Sequence, residues 1–382
     1  MRIGIDARLF GPRTAGGGLG RYIQQLVTHL QQIDSENEYV LFLRKSNWDE
    51  FAEGPRFKKI MADYQWYSLE EQIKMPQKIK EAKVDLMHFP HFNVPLMVKE
   101  PFVVTIHDLI LLEHPTTRAT TLGPLKYKLK HAGYKRVIGH ALKKSKAIIV
   151  PSNYIKESIL KYFPKADPEK IKVIYEGLSR LSTEEQANPE KDKEFLQKHN
   201  IRQPFLLYVG NSYPHKNLEA LARTFKAVLG AKPDVQLVLV GQKNYFSERL
   251  QNDVSQLGLR IPEQVNFTGY IEDADLAKLY RTARLYVFPS LSEGFGLPPL
   301  EAMSHDLPVA SSNASCLPEV LGPAAIYFDP RDENEMARVI FEGLDNNALR
   351  QTLIQAGRQQ TQKYSWQKMA KEILDIYNRA AR

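Results

Sequence analysis

The sequence predicts an α/β protein made of two doubly wound domains that face a central cleft. Short apolar runs alternate with helical stretches in both halves of the chain, and this rhythm is typical of parallel sheets covered on both faces. The chain has 382 residues, more than one hydrophobic core usually serves. Since ligands of such domains lie beyond the carboxyl ends of the strands, we expect a site in the cleft.

The first half predicts five strands and a helix after the first of them. The helix has Tyr22, Leu26, Val27 and Leu30 on one side, at the spacing of a buried helical face. The run 147–150 ends in the turn signal Pro-Ser-Asn. In chain order the elements are strand 2–5, helix 20–32, and strands 38–43, 85–89, 102–106 and 147–150.

The second half repeats this pattern after a polar, strongly charged stretch at residues 179–200. We place the domain boundary near the start of that stretch, because few apolar residues there could join a core. A helix is expected over residues 218–229. The strand candidates are 205–209, 236–240, 265–268, 285–288, 309–310 and 325–328.

Composition excludes several classes of protein. Hydrophobic residues make up 43% and charged residues 25% of the chain, as in ordinary globular proteins. The single cysteine, Cys316, rules out an internal disulfide framework and suits a reducing compartment. The N-terminus does not resemble a signal peptide, and no run approaches the roughly 20 apolar residues of a transmembrane helix. We therefore expect a cytoplasmic protein, with a peripheral position on the inner face of the membrane as the alternative.

The net charge of +8 is concentrated in residues 123–146, which contain eight Lys or Arg and no acid. A basic amphipathic helix here favours an anionic membrane surface, and a solvated helix face is the other interpretation. Nucleic acid is not expected, because no DNA- or RNA-binding motif accompanies the charge. The apolar face is predicted at Leu125, Leu129, Ala132, Val137, Ala141 and Leu142.

The stretch LSEGFGLPPLEAM, residues 291–303, predicts an anion site with a carboxylate on either side. It follows a predicted strand, and Pro298-Pro299 suits the first turn of a helix. A strand, a glycine loop and a helix start present N–H groups and a positive dipole end to an anion. Glu293 on the loop and Glu301 in the first helical turn would accept hydrogen bonds from hydroxyl groups. A nucleotide sugar, with its diphosphate between sugar and ribose, fits this order; a tight turn is the alternative.

With its seven-residue spacing and this context, the pair Glu293 and Glu301 resembles the signature of the retaining GT-B glycosyltransferases of family 4. The resemblance implies that Glu293 contacts the donor sugar and belongs to the catalytic residues. It implies that Glu301 holds the ribose. The neighbouring loop residues assigned to the donor phosphate and sugar are Ser292, Phe295, Gly296 and Leu297.

The second motif, YVGNSYPHKN, supplies Gly210 and Lys216 to the donor diphosphate in the resemblance. Glycine allows close backbone approach, and lysine is a mobile point charge suited to phosphate. Family members commonly have arginine where this chain has Asn211, so we expect His215 or Arg21 to compensate for the second cation. The PHKN form resembles the mannosyltransferase-like branch and favours GDP-mannose over a UDP-sugar; a surface lysine is the alternative interpretation.

Several further segments of the sequence complete the predicted site. The glycines of GGGLGRY, among them Gly16, Gly17 and Gly18, are implied to lie over the donor diphosphate and to help form the acceptor site. His107 in TIHDLI is implied to lie beside the reacting sugar and is the second catalytic residue. His88 and His91 lack a third metal ligand, so no metal is expected. The nucleotide pocket is assigned to Gly241, Tyr270 and Ile271.

The resemblance implies two Rossmann-like domains, because the last helix of the GT-B fold crosses back onto the first domain. The predicted acceptor-side domain is 1–178 plus 363–382, and the nucleotide-sugar domain is 179–362. We expect hexose transfer, with mannose favoured, to an acceptor sugar or lipid-linked glycan in polysaccharide, lipopolysaccharide or glycolipid assembly, without a cofactor. A sugar-nucleotide epimerase or hydrolase of the same fold and a non-catalytic polyanion-binding protein are the alternatives.

Overall fold

The computed structural model describes residues 1–11, 17–116, 124–178 and 188–380, with the main chain alone for 124–129. The chain divides into two compact units. Unit 1 comprises Met1–Leu112, Thr120–Gly177 and Ser365–Arg382, and unit 2 comprises Glu113–Ala119 and Leu178–Tyr364. The short segment that begins at Glu113 therefore groups with unit 2, whereas the sequence analysis assigned it to the N-terminal domain.

Unit 1 contains a parallel sheet with strand order β3-β2-β1-β4-β5-β6-β7. The order reverses between β1 and β4, which is the switch point where doubly wound sheets bind ligands. The strands are β1 Arg2–Asp6, β2 Glu38–Leu43, β3 Phe57–Met61, β4 Leu86–Phe89, β5 Phe102–Thr105, β6 Ala147–Val150 and β7 Ile171–Val173.

Unit 2 contains a second parallel sheet, of order β10-β9-β8-β11-β12-β13. Its switch point lies between β8 and β11, so the loops that leave these two strands are neighbours. The strands are β8 Phe205–Val209, β9 Gln236–Val240, β10 Val265–Gly269, β11 Leu285–Phe288, β12 Val309–Ser312 and β13 Ala325–Phe328.

Helices connect the strands of each sheet. In unit 1 they are α1 Gly18–Ile33, α2 Leu69–Ala82, α4 Pro124–Lys144, α5 Asn153–Tyr162 and the C-terminal α14 Trp366–Ala380, and α3 Ile110–Glu113 ends at the first residue of unit 2. In unit 2 they are α6 Pro189–Lys198, α7 Leu218–Ala231, α8 Tyr245–Gln256, α9 Asp273–Thr282, α10 Leu297–Ser304, α11 Leu317–Leu321, α12 Glu333–Asp345 and α13 Asn347–Thr361.

The predicted α/β class and the eleven predicted strands are confirmed, but three elements were missed. β3 and β7 are the two edges of the first sheet. α6 lies inside the stretch that we interpreted as a polar boundary. Asn188 caps it, because its side-chain oxygen accepts hydrogen bonds from the N–H groups of Glu190 and Lys191. Proline follows directly at the first helical position, where its missing N–H costs nothing.

The basic segment forms α4 in its described part, and the predicted buried face is confirmed at Ala141 and Leu142. Ala132 is exposed, and the core side is formed by Tyr134, Ile138, Ala141 and Leu142. The predicted positions Leu125 and Leu129 belong to the residues without described side chains. No described helix is both long and apolar enough to span a bilayer.

Candidate active site

The predicted donor-binding residues lie at the switch point of unit 2, where the loops after β8 and β11 meet. The N–H of Leu291 donates to the carbonyl oxygen of His215 at 2.7 Å. Asn217 adopts φ of 60°, and its amide donates to the carbonyl oxygens of Pro289 and Pro330. These bonds join the PHKN motif to the SEGFG motif, so two motifs that are far apart in sequence form one surface.

Glu293 and Lys216 form an ion pair at this junction. Lys216 Nζ lies 2.6 Å from Glu293 Oε1, and the side chains are only 13% and 10% exposed. The lysine ammonium also lies 5.8 Å from the ring centroid of Phe288, within reach of a cation–π interaction. The structure therefore brings Glu293, predicted to contact the donor sugar, into direct contact with Lys216, predicted to contact the donor diphosphate.

The backbone of the Glu293 loop is held by residues that the sequence analysis did not select. The N–H of Glu293 donates to Ser315 Oγ at 3.1 Å, and the Cys316 thiol faces the carbonyl oxygens of Glu293 and Phe295, each at 3.3 Å. Burial raises the pKa of the Cys316 thiol well above its usual value, so the group remains a hydrogen-bond donor. Both residues lie just before α11, 22 and 23 residues after Glu293, so the sequence of the loop itself did not predict them.

Gly296 ends the loop and caps α10. Its φ is 93°, and a Cβ there would approach Leu317 Cδ2 at 2.9 Å, so both backbone conformation and space favour glycine. Pro298 and Pro299 follow in the first turn as predicted. Phe295 is 4% exposed and packs edge-on against Tyr364 with ring centroids 5.3 Å apart. The Phe295 side chain is thus part of the core, and a ligand would meet backbone atoms here.

Glu301 lies deeper in the helix than predicted. It is the fifth residue of α10, and the first turn carries no acidic residue, so the predicted position in the first turn is wrong. The helix begins at Leu297, one residue before Pro298, so it starts one residue earlier than the Pro298-Pro299 pair implied. Its carboxylate is 6% exposed and accepts a hydrogen bond from Tyr280 Oη at 3.1 Å.

Three glycines lie at the carboxyl ends of adjacent strands beside the switch point. The N–H of Gly210 donates to Val240, and the N–H of Gly241 donates to Gly269. A Cβ on Gly241 would lie 2.1 Å from the Gly210 carbonyl oxygen, so this close approach requires glycine. Of the two predicted nucleotide contacts that follow Gly269, Tyr270 is 47% exposed and Ile271 is 8% exposed.

Asn211 stands where family members commonly have arginine, and His215 does not supply the positive charge of that arginine. Burial lowers the pKa of His215 to about 3, with a further contribution from Lys216, so this imidazole is neutral near pH 7. The carbonyl oxygen of Asn211 accepts a hydrogen bond from Tyr208 Oη at 2.9 Å. Arg21, the other predicted substitute, belongs to unit 1. Ser292 is fully buried, and its hydroxyl donates to Glu113 within unit 2 at 2.6 Å.

A separate cluster of predicted residues lies in unit 1, where His107 follows β5. Its Nδ1 lies 3.0 Å from Glu176 Oε1, and its Nε2 lies 3.0 Å from the carbonyl oxygen of Pro90. The ring of Tyr22 meets it edge-on, with centroids 4.6 Å apart. Glu176 is 69 residues from His107 in sequence, so no motif spacing could have identified it.

A buried hydrogen-bond chain runs beneath His107. Tyr22 Oη lies 3.1 Å from Thr105 Oγ1, which lies 2.9 Å from His88 Nε2. His88 Nδ1 lies 2.6 Å from Tyr377 Oη on α14. Burial lowers the pKa of His88 to about 3, so it is a neutral structural residue. Both ring nitrogens of His88 thus have hydroxyl groups as partners.

The glycine motif lies at the start of α1. Gly17 has φ of 51°, and a Cβ on Gly17 or Gly18 would meet no atom of the described residues within 4 Å. Gly16 lies outside the described residues. Gly20, which was not selected, is the residue that packing requires, because its Cβ would lie 2.1 Å from the Gly11 carbonyl oxygen.

Chemically, unit 2 offers a lysine cation, a glycine loop and two nearly buried carboxylates, which suit a phosphate with hydroxyl groups on either side. Unit 1 offers an imidazole fixed between a carboxylate and a carbonyl group. Among the described residues, no group of three or more His, Cys, Asp or Glu side chains is placed to bind a metal ion.

Comparison with known proteins identifies the family. A model described as glycosyl transferases group 1 matches residues 190–360, and one described as Glycosyltransferase Family 4 matches residues 16–180. The O-antigen chain mannosyltransferase B of Escherichia coli is 26% identical, over 94% of this chain and 95% of its own. The O-antigen chain mannosyltransferase RfbU of Salmonella typhimurium is 27% identical, over 72% of this chain and 69% of its own.

The fold has solved counterparts as well. Sucrose-phosphate synthase from Thermosynechococcus elongatus superimposes with a TM-score of 0.77 at 22% identity, covering 99% of this chain and 98% of its own. Together the two family models extend from the glycine motif in unit 1 to α13 in unit 2. The chain therefore belongs to the glycosyltransferases of group 1 and family 4, and it has their two-domain GT-B fold.

Proposed function

We propose that this glycosyltransferase moves mannose from GDP-mannose to an acceptor hydroxyl, with retention of the anomeric configuration. The observation that carries the proposal is the contact between Lys216 and Glu293, 2.6 Å apart at the switch point of unit 2. A donor phosphate would compete for the lysine and release the carboxylate to accept hydrogen bonds from the sugar. The proposed donor site otherwise uses the loop backbone and Glu301.

Charge complementarity supports a diphosphate at this position. Lys216 and the positive end of the α10 helix dipole would stabilise the negative charge that develops on the departing diphosphate. Glu301 would accept hydrogen bonds from the ribose hydroxyls while Tyr280 holds its other side. Because charge stabilisation comes from the chain itself, the proposal needs no metal or cofactor.

In the proposed reaction, the acceptor oxygen forms a bond to the anomeric carbon on the face from which the diphosphate leaves. The bond from that carbon to the diphosphate oxygen breaks, and its electron pair goes to the diphosphate. The acceptor proton passes to the same phosphate oxygen. One observation on the chain supports this route: each nitrogen of His107 already faces an oxygen atom, of Glu176 and of Pro90, so the ring is held by the protein. In the proposed complex Glu293 accepts hydrogen bonds from the donor sugar and orients it.

The proposed acceptor is a glycan in lipopolysaccharide or polysaccharide assembly. Two relatives over most of this chain are named as O-antigen chain mannosyltransferases, which supports both the sugar and the acceptor class. A peripheral position at an anionic membrane would bring the enzyme to a lipid-linked acceptor. The exposed Lys and Arg residues of α4 support this, and its apolar side chains, which are buried in unit 1, limit the contact to electrostatic attraction.

A thermal-shift experiment tests the donor assignment. The panel compares GDP-mannose, UDP-glucose, UDP-N-acetylglucosamine and the free diphosphates. A ligand present at about 100 times its Kd adds about 2.7 kcal/mol to the free energy of unfolding, so we expect a clear rise in Tm with GDP-mannose and GDP. Glu301→Ala should lose about 1 to 3 kcal/mol of that binding. A shift with UDP compounds instead would overturn the proposed base, and no shift with any compound would favour polyanion binding.

A product assay then separates transfer from the alternatives. The wild-type protein is incubated with GDP-mannose, with and without a lipid-linked or oligosaccharide acceptor, and released GDP is measured together with the anomeric configuration of the product by NMR. GDP release that depends on the acceptor and an α-linked product support retaining transfer. Equal release without acceptor would indicate a hydrolase, and a β-linked product would contradict retention.

A further inference from the structure

Glu176 holds the imidazole of His107 from a loop that carries no motif. The carboxylate Oε1 and the ring Nδ1 are 3.0 Å apart, with side-chain exposures of 9% and 16%. On the opposite side of the ring, Nε2 lies 3.0 Å from the Pro90 carbonyl oxygen. Both partner atoms are oxygens that can accept a hydrogen bond from a ring N–H, and the two contacts hold the imidazole from opposite sides.

This imidazole connects three loops at the carboxyl edge of the first sheet. Pro90 follows β4, His107 lies two residues beyond β5, and Glu176 lies three residues beyond β7. Tyr22 contacts the ring edge-on from a third side. Since three other parts of the chain surround the ring, its orientation is set by packing and hydrogen bonds together rather than by its own rotamer preference.

Glu176 also borders the place where the chain passes between the units. The chain leaves unit 1 after Gly177 and returns to it at Ser365. A Cβ on Gly177 would lie 2.1 Å from the backbone nitrogen of Trp366, so the outgoing and returning segments are in contact within unit 1. The loop that carries Glu176 is therefore packed against the returning segment at the very next residue, Gly177.

We propose that Glu176 is a positioning residue for sugar transfer: its carboxylate fixes the His107 imidazole, and with it the end of β5, in the orientation that the reaction uses. This inference rests on the proposed function. Without the carboxylate the ring keeps a single polar contact, to Pro90, and can rotate. A displacement of about 1 Å at a reacting centre costs on the order of 100-fold in rate, and this is the loss of kcat that we expect.

The test compares Glu176→Ala and Glu176→Gln in the full chain. The amide oxygen of glutamine can still accept from Nδ1, so Glu176→Gln should retain most of the wild-type kcat. Glu176→Ala should lower kcat by about 100-fold and leave the KM for GDP-mannose unchanged, because the proposed donor ligands lie in unit 2. Glu157→Ala, which removes an exposed carboxylate of α5, is the matched control and should behave as wild type.

A second readout does not depend on activity. In protein labelled with 15N at histidine, long-range 1H–15N spectra report which imidazole nitrogens carry protons, and His107→Gln identifies the signals of His107. We expect a protonated Nδ1 in the wild type and in Glu176→Gln, and altered signals in Glu176→Ala. Because this spectrum can be recorded without any sugar donor, absence of transfer in the wild type would refute the proposed function and leave the contact itself measurable.

Three results would overturn the inference. One is wild-type kcat together with unchanged His107 signals in Glu176→Ala. Another is an equal loss of kcat in the alanine and glutamine variants while the His107 signals stay unchanged, since Glu176 would then act on substrate directly. If Glu176→Ala does not fold, the glutamine variant decides: retained Nδ1 protonation with retained kcat supports positioning, and a lost Nδ1 proton with retained kcat refutes it.

Discussion

At the scale of single residues, the contact between Lys216 and Glu293 sets the conditions for donor binding. Two charges that are mostly removed from water neutralise each other at 2.6 Å, and removing one partner of such a pair leaves the other uncompensated. The donor must therefore offer at least as good a partner to each group. A phosphate for the lysine and hydroxyl groups for the carboxylate meet this requirement together.

Lys216→Met should destabilise unit 2 and abolish donor binding. We expect the free energy of unfolding to fall by about 1 to 3 kcal/mol, because Glu293 is left unpaired, and urea denaturation measures this. The double variant Lys216→Met/Glu293→Gln should recover part of the stability but none of the thermal shift with GDP-mannose. Equal stability of the single and double variants would show that the pair is not coupled.

Gly241→Ala should show how closely the strand ends approach in the donor site. Its Cβ would lie 2.1 Å from the Gly210 carbonyl oxygen, so the backbone must move, and overpacking of this kind costs about 1 to 3 kcal/mol. Gly230→Ala is the control, since a Cβ there meets nothing within 4 Å on helix α7. The control should be neutral or slightly stabilising. Equal Tm values for the two variants would contradict the close approach.

At the scale of elements, the buried strands were predictable and the edge strands were not. Central strands such as FLLYV and QLVLV are fully or almost fully buried, so they appear as continuous apolar runs. β3 is FKKIM and β7 is IKV. Both lie at edges of the first sheet, where lysine is a common residue because it discourages pairing with other chains. Their polarity concealed them.

In the site as well, features set by neighbouring residues were predictable, and contacts with residues far away in the sequence were not. Pro298-Pro299 predicted the start of α10 because proline acts locally on the backbone. Tyr280, Cys316 and Glu176 support the predicted residues from other elements, and no short pattern connects them to their partners. In α4, periodicity correctly placed Ala141 and Leu142 on the buried face but did not place Tyr134 and Ile138 there. These two residues are buried through their contacts with the core of unit 1, which the sequence of the helix does not contain.

Helix α14 contributes one buried hydroxyl to unit 1, and Tyr377→Phe tests its importance. The substitution leaves His88 Nδ1 without the Tyr377 Oη that lies 2.6 Å away. An unsatisfied buried polar group costs about 1 to 3 kcal/mol, so we expect a lower urea midpoint. Tyr245→Phe, at a tyrosine that is 56% exposed, should have no effect. A wild-type midpoint for Tyr377→Phe would show that water replaces the hydroxyl.

At the scale of the whole molecule, stability should decrease in mild acid. Burial lowers the pKa of His88, His91 and His215 to about 3, whereas an unfolded histidine titrates near 6.5. Between these values the unfolded state binds more protons, so the free energy of unfolding rises with pH up to about 6.5 and is constant above it. Each histidine contributes about 1.4 kcal/mol per pH unit within the window.

Urea denaturation at several pH values between 5 and 7.5, approximately the upper part of this window, measures the effect. His88→Gln should reduce the pH dependence, because one of the buried neutral histidines is removed. Equal free energies of unfolding at the two ends of the range would contradict the assignment of these histidines as neutral. His29, His140 and His199 have pKa values lowered by burial as well, so they act in the same direction.

The net charge of +8 predicts binding to anionic vesicles that decreases with salt. Each basic side chain near such a surface contributes about 1 kcal/mol. The triple variant Lys130→Glu/Lys135→Glu/Arg136→Glu should lose sedimentation with phosphatidylglycerol vesicles. The control, Lys193→Glu/Lys226→Glu/Lys371→Glu, changes exposed lysines elsewhere by the same total charge. Equal loss in both variants would show that overall charge, and not α4, determines binding.

The thiol of Cys316 also gives the donor loop a built-in reporter. It is the single cysteine of the chain, it is fully buried, and it faces the carbonyl oxygens of Glu293 and Phe295. A thiol reagent can react only when these contacts open, so the labelling rate of the native protein counts loop openings. If a nucleotide sugar closes the loop, it should slow labelling in proportion to its occupancy, which would give a donor Kd without any acceptor or engineered probe.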